Sequence, residues 1–367
     1  MKIILKLFLI LCFSNAIILA DATFKKENSN LKKGKWVDKS LALKFVSKSV
    51  LKYLAKGNKY DASAIHSGFI KTHDTSLERV KRTLLFLIKV VEEDAKIGKS
   101  SRLTDPNFIL KHFDLIKWSP DLIASKKLAQ KKPLLKSVNE NKILLTKYFI
   151  KLADGNKSKT DDKSLAIYGL PFDEVELTLE EALTKRTTLT RFKYGKQVIL
   201  KGIISNNNLA PALVWLNRTD LEGALLQGTV VVNIGNSKTI LNVHRNNTIA
   251  YDRSKKPREQ ERYWYFKEVD HIYGYGKDAN FKIAIKSEVT VAGDLNYFGL
   301  GKIFLLKTIE HDKPTYRITI LADTGGAFKN NQFQLDWLSG YYKGWKDYHK
   351  INKYISDTAE TWILLKK

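Results

Sequence analysis

Three aspartates stand at the ends of short apolar runs near the C-terminus: Asp294 in VAGDLNYFGLG, Asp323 in ADTGG and Asp336 in QLDWLSG. Gly325 and Gly326 follow Asp323, and glycine permits positive φ angles and a close backbone approach. A strand that ends in this way can place a carboxyl group at the rim of a cleft, where it can do acid–base chemistry. The same Asp-Thr-Gly-Gly stretch also fits an ordinary Asx-type turn, so both interpretations stay open.

Aromatic residues are frequent around these aspartates: Phe333, Trp337, Tyr341, Tyr342 and Trp345. Large aromatic side chains fill hydrophobic cores, and they also provide flat faces on which sugar rings stack. The sequence alone leaves both roles open.

Motifs for metal and nucleophile chemistry are absent. The sequence has no HExxH, CxxC, P-loop or GxSxG pattern, and its seven histidines occur singly. The only cysteine, Cys12, lies in the N-terminal segment, so the expected mature chain has neither a disulfide nor a thiol nucleophile. We therefore expect no metal and no cofactor.

The N-terminal segment, residues 1–22, has the features of a secretory signal peptide. Lys2 and Lys6 precede an apolar run from Leu7, and Ala20-Asp21-Ala22 provides a small-x-small cleavage signal. A membrane anchor is the alternative, although the run is short for a full span and is interrupted by polar residues. Whether the mature chain is free in the periplasm or tethered stays open.

The chain is strongly basic, with a formal net charge of +25 over 367 residues. Nucleic-acid binding, attraction to an anionic envelope polymer or membrane surface, and a general lysine bias are the three explanations. The even spread of lysine favours compositional bias. An exported chain without a nucleic-acid-binding motif is not expected to bind nucleic acid.

The predicted elements that must position the aspartates are helices in the N-terminal part and mainly strands after it. Residues 23–40 are polar and read as a flexible lead-in. Residues 41–140 are predicted to be helical, as in THDTSLERVKRTLLFLIKVVEEDAK, where Thr75 and Glu78 form a capping box, and in NFILKHFDLIKW.

After residue 141 the sequence consists of short apolar runs rich in Val, Ile, Tyr and Phe, separated by Gly, Asn and Asp turns. The predicted strands are KILLTKYFIKL, KQVILKGII, GTVVVNIG, KTILNVH, GKIFLLKTI and YRITILAD. One helix, TLEEALTK, interrupts them. This pattern predicts a barrel-like β part behind a helical N-terminal part.

Six segments, in the same order, resemble the membrane-bound lytic transglycosylase A (MltA) family and its C-terminal three-aspartate (3D) segment. They are ILADTGGAFKNNQF; SEVTVAGDLNYFGLGKIFLL; LLQGTVVVNIGNSKTILNVHRNNTIAYDRS; LTKYFIKLADG with IYGLP; GWKDY with ETWILLK; and LKYLAKG with SLERVKRTLLFL. The likeness covers most of the chain from about residue 41 and is most specific between residues 215 and 367.

The resemblance implies a double-psi β-barrel and a second β domain, with a groove between them that holds a glycan strand. Residues 141–280 would hold the start of the barrel and the inserted β domain, and residues 281–367 the three-aspartate part. The family cleaves the β-1,4 bond between N-acetylmuramic acid and N-acetylglucosamine and leaves a 1,6-anhydro end. One aspartic acid can suffice, because the C6 hydroxyl of the sugar itself is the nucleophile.

The position of that acid depends on the alignment register. Without a gap after Asp323, the family's catalytic aspartate corresponds to Gln334, whose amide cannot be a general acid. If the Asn330-Asn331 turn carries two extra residues, it corresponds to Asp336, and the spacing to Gly340 is kept. We favour Asp336, because turns accept insertions more easily than a strand accepts a register error.

Other positions follow from the same resemblance. Asp323 and Asp294 are expected to support the acid, and the residues expected to contact the glycan are Gln227, Asn246, Tyr251, Tyr148 and Trp337. Lys147, Lys151, Gly299 and Thr229 depart from the family's pattern.

We therefore expect a peptidoglycan lytic transglycosylase whose partners are glycan strands, with possible envelope or outer-membrane association. The alternative is a catalytically impaired relative that binds the cell wall as a structural protein. A hydrolase on the same barrel is a third hypothesis. The oligomeric state stays open.

Overall fold

The computed structural model describes residues 22–27, 31, 33–70 and 73–367. The expected signal segment lies outside the described residues apart from Ala22, and so does Cys12. The described residues form fourteen strands. They are β1 (Thr23–Glu27), β2 (Lys35–Trp36), β3 (Phe113–Ser119), β4 (Ile143–Asp154), β5 (Leu165–Tyr168), β6 (Ala212–Leu216), β7 (Thr229–Ile234), β8 (Ser237–Asn246), β9 (Trp264–Val269), β10 (Thr290–Ala292), β11 (Ile303–Glu310), β12 (Lys313–Asp323), β13 (Gln334–Tyr342) and β14 (Thr358–Lys366).

Helices are long only near the N-terminus. They are α1 (Ser40–Leu54), α2 (Leu77–Lys96), α3 (Pro106–His112), α4 (Leu122–Ala129), α5 (Leu179–Thr184), α6 (Thr190–Lys193), α7 (Lys196–Leu200), α8 (Ile203–Asn206), α9 (Arg218–Gln227), α10 (Leu295–Phe298) and α11 (Trp345–Asn352). No helix among the described residues has the length and apolar character needed to cross a membrane.

Six strands close into a barrel. Their order around the ring is β14, β11, β12, β10, β13 and β4, and the ring closes because β14 also pairs with β4. β10 runs parallel to β12, and β13 runs parallel to β4, whereas the other pairs in the ring are antiparallel. The barrel thus brings the ends of the aspartate-bearing strands together.

β4 is long enough to belong to two bodies. Its residues 144–151 pair with β13 in the barrel, and its residues 151–154 pair with β7. β7, β8 and β9 continue this sheet outside the barrel, and with β5, β6 and α9 they bury their own apolar clusters. The barrel and the second β body therefore share strand β4.

The N-terminal helices pack on the outside of the barrel and share its core. Helix α2 begins one residue later than the sequence indicates, because Ser76 rather than Thr75 is the N-cap and accepts a hydrogen bond from the Arg79 backbone N–H at 3.3 Å. The Thr75 side chain is instead buried and donates to the Ser67 carbonyl at 3.4 Å.

Three sequence-based predictions need correction. Part of the expected lead-in is strand β1, which pairs with β3 because Phe24 is buried against Trp118. The predicted helix NFILKHFDLIKW ends at His112 and continues as β3. The predicted strand KQVILKGII forms two short helices, α7 and α8, separated by Gly202 at φ +98°.

Candidate active site

Asp323, at the end of β12, is held by two donors. The Tyr148 hydroxyl donates to Oδ2 at 2.8 Å, and the Thr324 backbone N–H donates to Oδ1 at 2.9 Å. Burial raises the pKa of Asp323 to about 6, while these hydrogen bonds and the charge of Lys282 act in the opposite direction. Asp323, at the start of this glycine turn, is therefore a carboxyl group whose pKa lies near neutrality.

Asp336 lies in the middle of β13, opposite Thr146 of β4 on one side and Ala292 of β10 on the other. The residue is partly exposed, but its Oδ1 is buried and has no hydrogen-bond partner. Burial raises the pKa of Asp336 to about 7, and the negative charge of Asp323 adds to this effect; a hydrogen bond from Thr146 and the charge of Lys147 oppose it. A carboxyl group in this state can both give and accept a proton near neutral pH.

Gln334 lies two residues earlier on the same strand face, and both ends of its amide form hydrogen bonds. Its Nε2 donates to Thr146 Oγ1 at 2.8 Å, and its Oε1 accepts from Asn331 Nδ2 at 2.7 Å. Both ends of the amide therefore connect the 324–333 loop to β4. These contacts give Gln334 a structural role.

Asp294 caps the short helix α10 and does not join the other two carboxylates. It is 4% exposed, and it accepts hydrogen bonds from the backbone N–H groups of Tyr297 at 3.3 Å and Asn331 at 3.2 Å. Burial raises its pKa, and these backbone donors lower it. The contacts indicate that Asp294 fixes the loop that leads into β13.

A cavity of about 1230 Å³, which we call the groove cavity, lies between the barrel and the second body. Asp323 and Tyr148 line its barrel side, and Gln227 and Asn246 line the side of the second body. Gln227 Oε1 accepts from the Phe149 backbone N–H at 3.3 Å. The cavity therefore collects four of the residues expected from the sequence.

Asp336 does not itself line the groove cavity. Leu338, two residues later on the same face of β13, does line it, and so do Asp323 and Tyr148, both of which interact electrostatically with Asp336. Asp336 thus lies directly behind the barrel wall of the cavity.

Two of the expected contact residues lie elsewhere. Tyr251 is 56% exposed on the loop after β8 and is not part of the cavity lining. Trp337 is 3% exposed in the barrel core, where the Arg317 guanidinium lies 4.6 Å from its ring centre. Alternation along β13 accounts for the position of Trp337, because neighbouring residues point to opposite faces and the next residue, Leu338, is on the face that lines the cavity.

The lysines that depart from the family's pattern make ion pairs. Lys147 pairs with Asp357, and Lys151 pairs with Asp220. Gly299 has φ +71°, which proline cannot adopt, so the departure at this position follows from the local backbone.

Lys282 and His244 also line the groove cavity, and no motif in the sequence identifies them. Burial lowers the pKa of Lys282 to about 8, and burial together with neighbouring cations lowers the pKa of His244 to about 4. Within the described part of the chain, no group of three or more His, Cys, Asp or Glu side chains is arranged to hold a metal ion.

Comparison with known proteins bears on this geometry. Residues 289–349, which contain all three aspartates, match the model of the family described as 3D domain. No curated protein matches the sequence. The segment that carries the carboxylates is therefore similar to 3D domains.

Solved structures resemble the whole chain. Escherichia coli MltA with bound chitohexaose is 13% identical, with 93% of each chain covered and a TM-score of 0.56. A membrane-bound lytic murein transglycosylase from Agrobacterium tumefaciens is 13% identical, covering 89% of this chain and 93% of its own, with a TM-score of 0.58. MltA from Neisseria gonorrhoeae is 15% identical, with 88% of each chain covered and a TM-score of 0.54. The expected fold, a β-barrel with a second β body and helices at the N-terminus, is confirmed.

Proposed function

We propose that the chain is an exported lytic transglycosylase that cleaves the β-1,4 bond between N-acetylmuramic acid and N-acetylglucosamine in peptidoglycan and forms 1,6-anhydro-N-acetylmuramic acid. The observation that carries this proposal is the raised pKa of Asp336, about 7, inside the segment that is similar to 3D domains and behind the wall of the groove cavity. The likeness in fold to lytic transglycosylases, one of them holding chitohexaose, supports a glycan as the ligand. The signal-like residues 1–22 support export, and a tether to the membrane is part of the proposal.

Asp336 is the proposed acid and base. In its protonated form it gives a proton to the glycosidic oxygen as the bond to C1 breaks. The C6 hydroxyl of the same sugar attacks C1, and the Asp336 carboxylate takes the hydroxyl proton, so the starting protonation state returns. A pKa of about 7 supports this cycle, since both forms are populated at neutral pH.

The neighbouring groups have supporting roles. Burial keeps the pKa of Asp336 high, the charge of Asp323 adds to this effect, and the Tyr148 hydroxyl holds Asp323 in place. Gln227 and Asn246 are the proposed glycan contacts on the opposite side of the groove cavity. Asp294 positions the loop before β13.

The test is the release of anhydro-muropeptides from purified sacculi, identified by mass spectrometry. Wild type is expected to release them, Asp336→Asn is expected to lose release by at least about a hundredfold, and Gln334→Ala is expected to retain it in the folded fraction. Sacculus binding without release by wild type would favour a structural cell-wall protein instead. Release that survives Asp336→Asn would move the acid elsewhere, and products with a reducing end would indicate a hydrolase.

A further inference from the structure

A second cavity, of about 520 Å³, adjoins the groove cavity. The two share a wall that contains Asn242, Val243, His244, Lys267 and Lys282, which line both. The other side of the second cavity, which we call the side pocket, is formed mainly by Phe45, Lys52 and Tyr53 of helix α1 and by His271 and Phe281. The side pocket is therefore a second compartment beside the groove cavity.

Three lysines of the side pocket have no carboxylate partner. Lys52, Lys267 and Lys282 form no ion pair within 4.0 Å in the part of the chain that the structure describes. Lys267 Nζ donates only to Asn280 Oδ1, at 3.2 Å. Two carboxylates, Glu268 and Asp270, also line the side pocket, but neither forms an ion pair with these lysines among the described residues, so three lysines surround the compartment with two carboxylates.

Lys282 is fixed in position and has spare donor capacity. Its Nζ donates to Asn242 Oδ1 and to the Val243 carbonyl, both at 2.7 Å. An ammonium group has three donors, so one N–H is available to a ligand. By contrast Lys151 and Lys196, which are more deeply buried, each pair with a carboxylate.

The lowered pKa of His244 reflects burial and the positive charge of the same wall. Besides burial, the charges of Arg245, Lys267 and Lys282 lower its pKa. Between about pH 4 and pH 8 the imidazole is therefore neutral while Lys282 is charged. An anion in the side pocket would be attracted by the lysines, and the third N–H of Lys282 would be its direct donor.

We propose that the side pocket binds carboxylate groups of the peptide branches that muramic acid residues carry in peptidoglycan, while the glycan backbone lies in the groove cavity. This inference rests on the proposed function. A linear glycan needs one groove, whereas a branched one needs a compartment that opens from it. Lys52 and Lys267 are exposed, and Lys282 lies in the shared wall close enough to Asp323 to interact with it electrostatically.

The test compares two substrates: glycan strands that retain their peptides and the same strands after enzymatic removal of the peptides. The ratio of kcat/KM values for peptide-bearing over peptide-free strands is expected to fall about tenfold in the double variant Lys52→Gln/Lys267→Gln, as the loss of charge-assisted contacts predicts. Lys282→Gln is expected to lower the same ratio. The matched control, Lys89→Gln/Lys126→Gln, removes two charges on helices that line neither cavity and should leave the ratio unchanged.

A second measurement separates this inference from the proposed function. Calorimetry follows binding of a soluble disaccharide tetrapeptide, and of the same molecule with its carboxylates amidated. Weaker binding after amidation in wild type, but not in the double variant, supports the side pocket even if wild type releases no anhydro product. Equal binding of both ligands by wild type, or an unchanged substrate ratio in the double variant, would overturn it.

Discussion

The Tyr148 hydroxyl donates to Asp323 Oδ2 across 2.8 Å and so connects the middle of β4 to the end of β12. Burial is the main cause of the raised pKa of Asp336, and the negative charge of Asp323 adds to it, so the protonation of Asp336 is coupled to the charge of Asp323. β12 and β13 are separated in the ring only by β10, which pairs with both, so the barrel holds the two aspartates near each other.

Removal of the Asp323 charge should change the pH dependence of catalysis. In Asp323→Asn the pKa of Asp336 is expected to fall below about 7, although burial, the larger cause, remains. The alkaline limb of the profile of kcat against pH should therefore move to lower pH. Asp294→Asn is the control, because Asp294 contacts backbone N–H groups and should affect stability without moving that limb. An unmoved limb in Asp323→Asn would contradict the coupling.

The raised pKa of Asp336 should also appear in the stability of the protein. Between its ordinary value of 3.8 and about 7, the folded state binds more protons than the unfolded state, so this group's contribution to the free energy of unfolding falls as pH rises. Asp336→Asn should be more stable than wild type at pH 8 by about 1–3 kcal/mol, with the difference disappearing near pH 4. Urea unfolding of both proteins at each pH measures it. The same difference at both pH values would argue against a raised pKa.

How much of the fold can be predicted depends on the length of each apolar run. KILLTKYFIKL is long and β-rich, and it forms β4 as predicted. KQVILKGII has a similar composition but forms two helical turns, because Gly202 adopts φ +98° and the buried Ile199 and Ile204 pack in the second body. A short apolar run does not reveal whether its buried face follows helical or strand periodicity.

Some residues of the candidate site can likewise be identified from the sequence, and others cannot. Asp294 and Asp323 can be found in the sequence because they follow β10 and end β12 close to glycines, whereas the predicted strand end at Asp336 is wrong, since Asp336 lies within β13. Lys282 has no such mark, since its neighbours Asn242 and Val243 lie about forty residues away and meet it only in the folded sheet. Trp337 precedes Leu338, which lines the groove cavity, so strand alternation places the Trp337 side chain on the opposite face of β13.

Variants at Gln334 distinguish the two possible positions of the acid. If Asp336 is the acid, a carboxylate introduced by Gln334→Asp should not restore release to Asp336→Asn, because the side chain at position 334 is directed at Asn331 and Thr146. Gln334→Ala should lower the free energy of unfolding by about 2 kcal/mol, since two buried partners lose their hydrogen bonds. Anhydro-muropeptide release and thermal unfolding measure the two effects. Restoration of release by the double variant would assign the acid to position 334.

Trp337 should matter for stability and not for glycan binding. Trp337→Leu removes a buried ring and its contact with the Arg317 guanidinium, which should cost about 3 kcal/mol of unfolding free energy. KM for sacculi should stay unchanged in the folded fraction, because Trp337 does not line the groove cavity. Tyr148→Phe is the contrasting variant: it removes one hydrogen bond beside the cavity and should lower kcat more than it lowers stability. A rise in KM without loss of stability in Trp337→Leu would mean that the ring contacts the glycan after all.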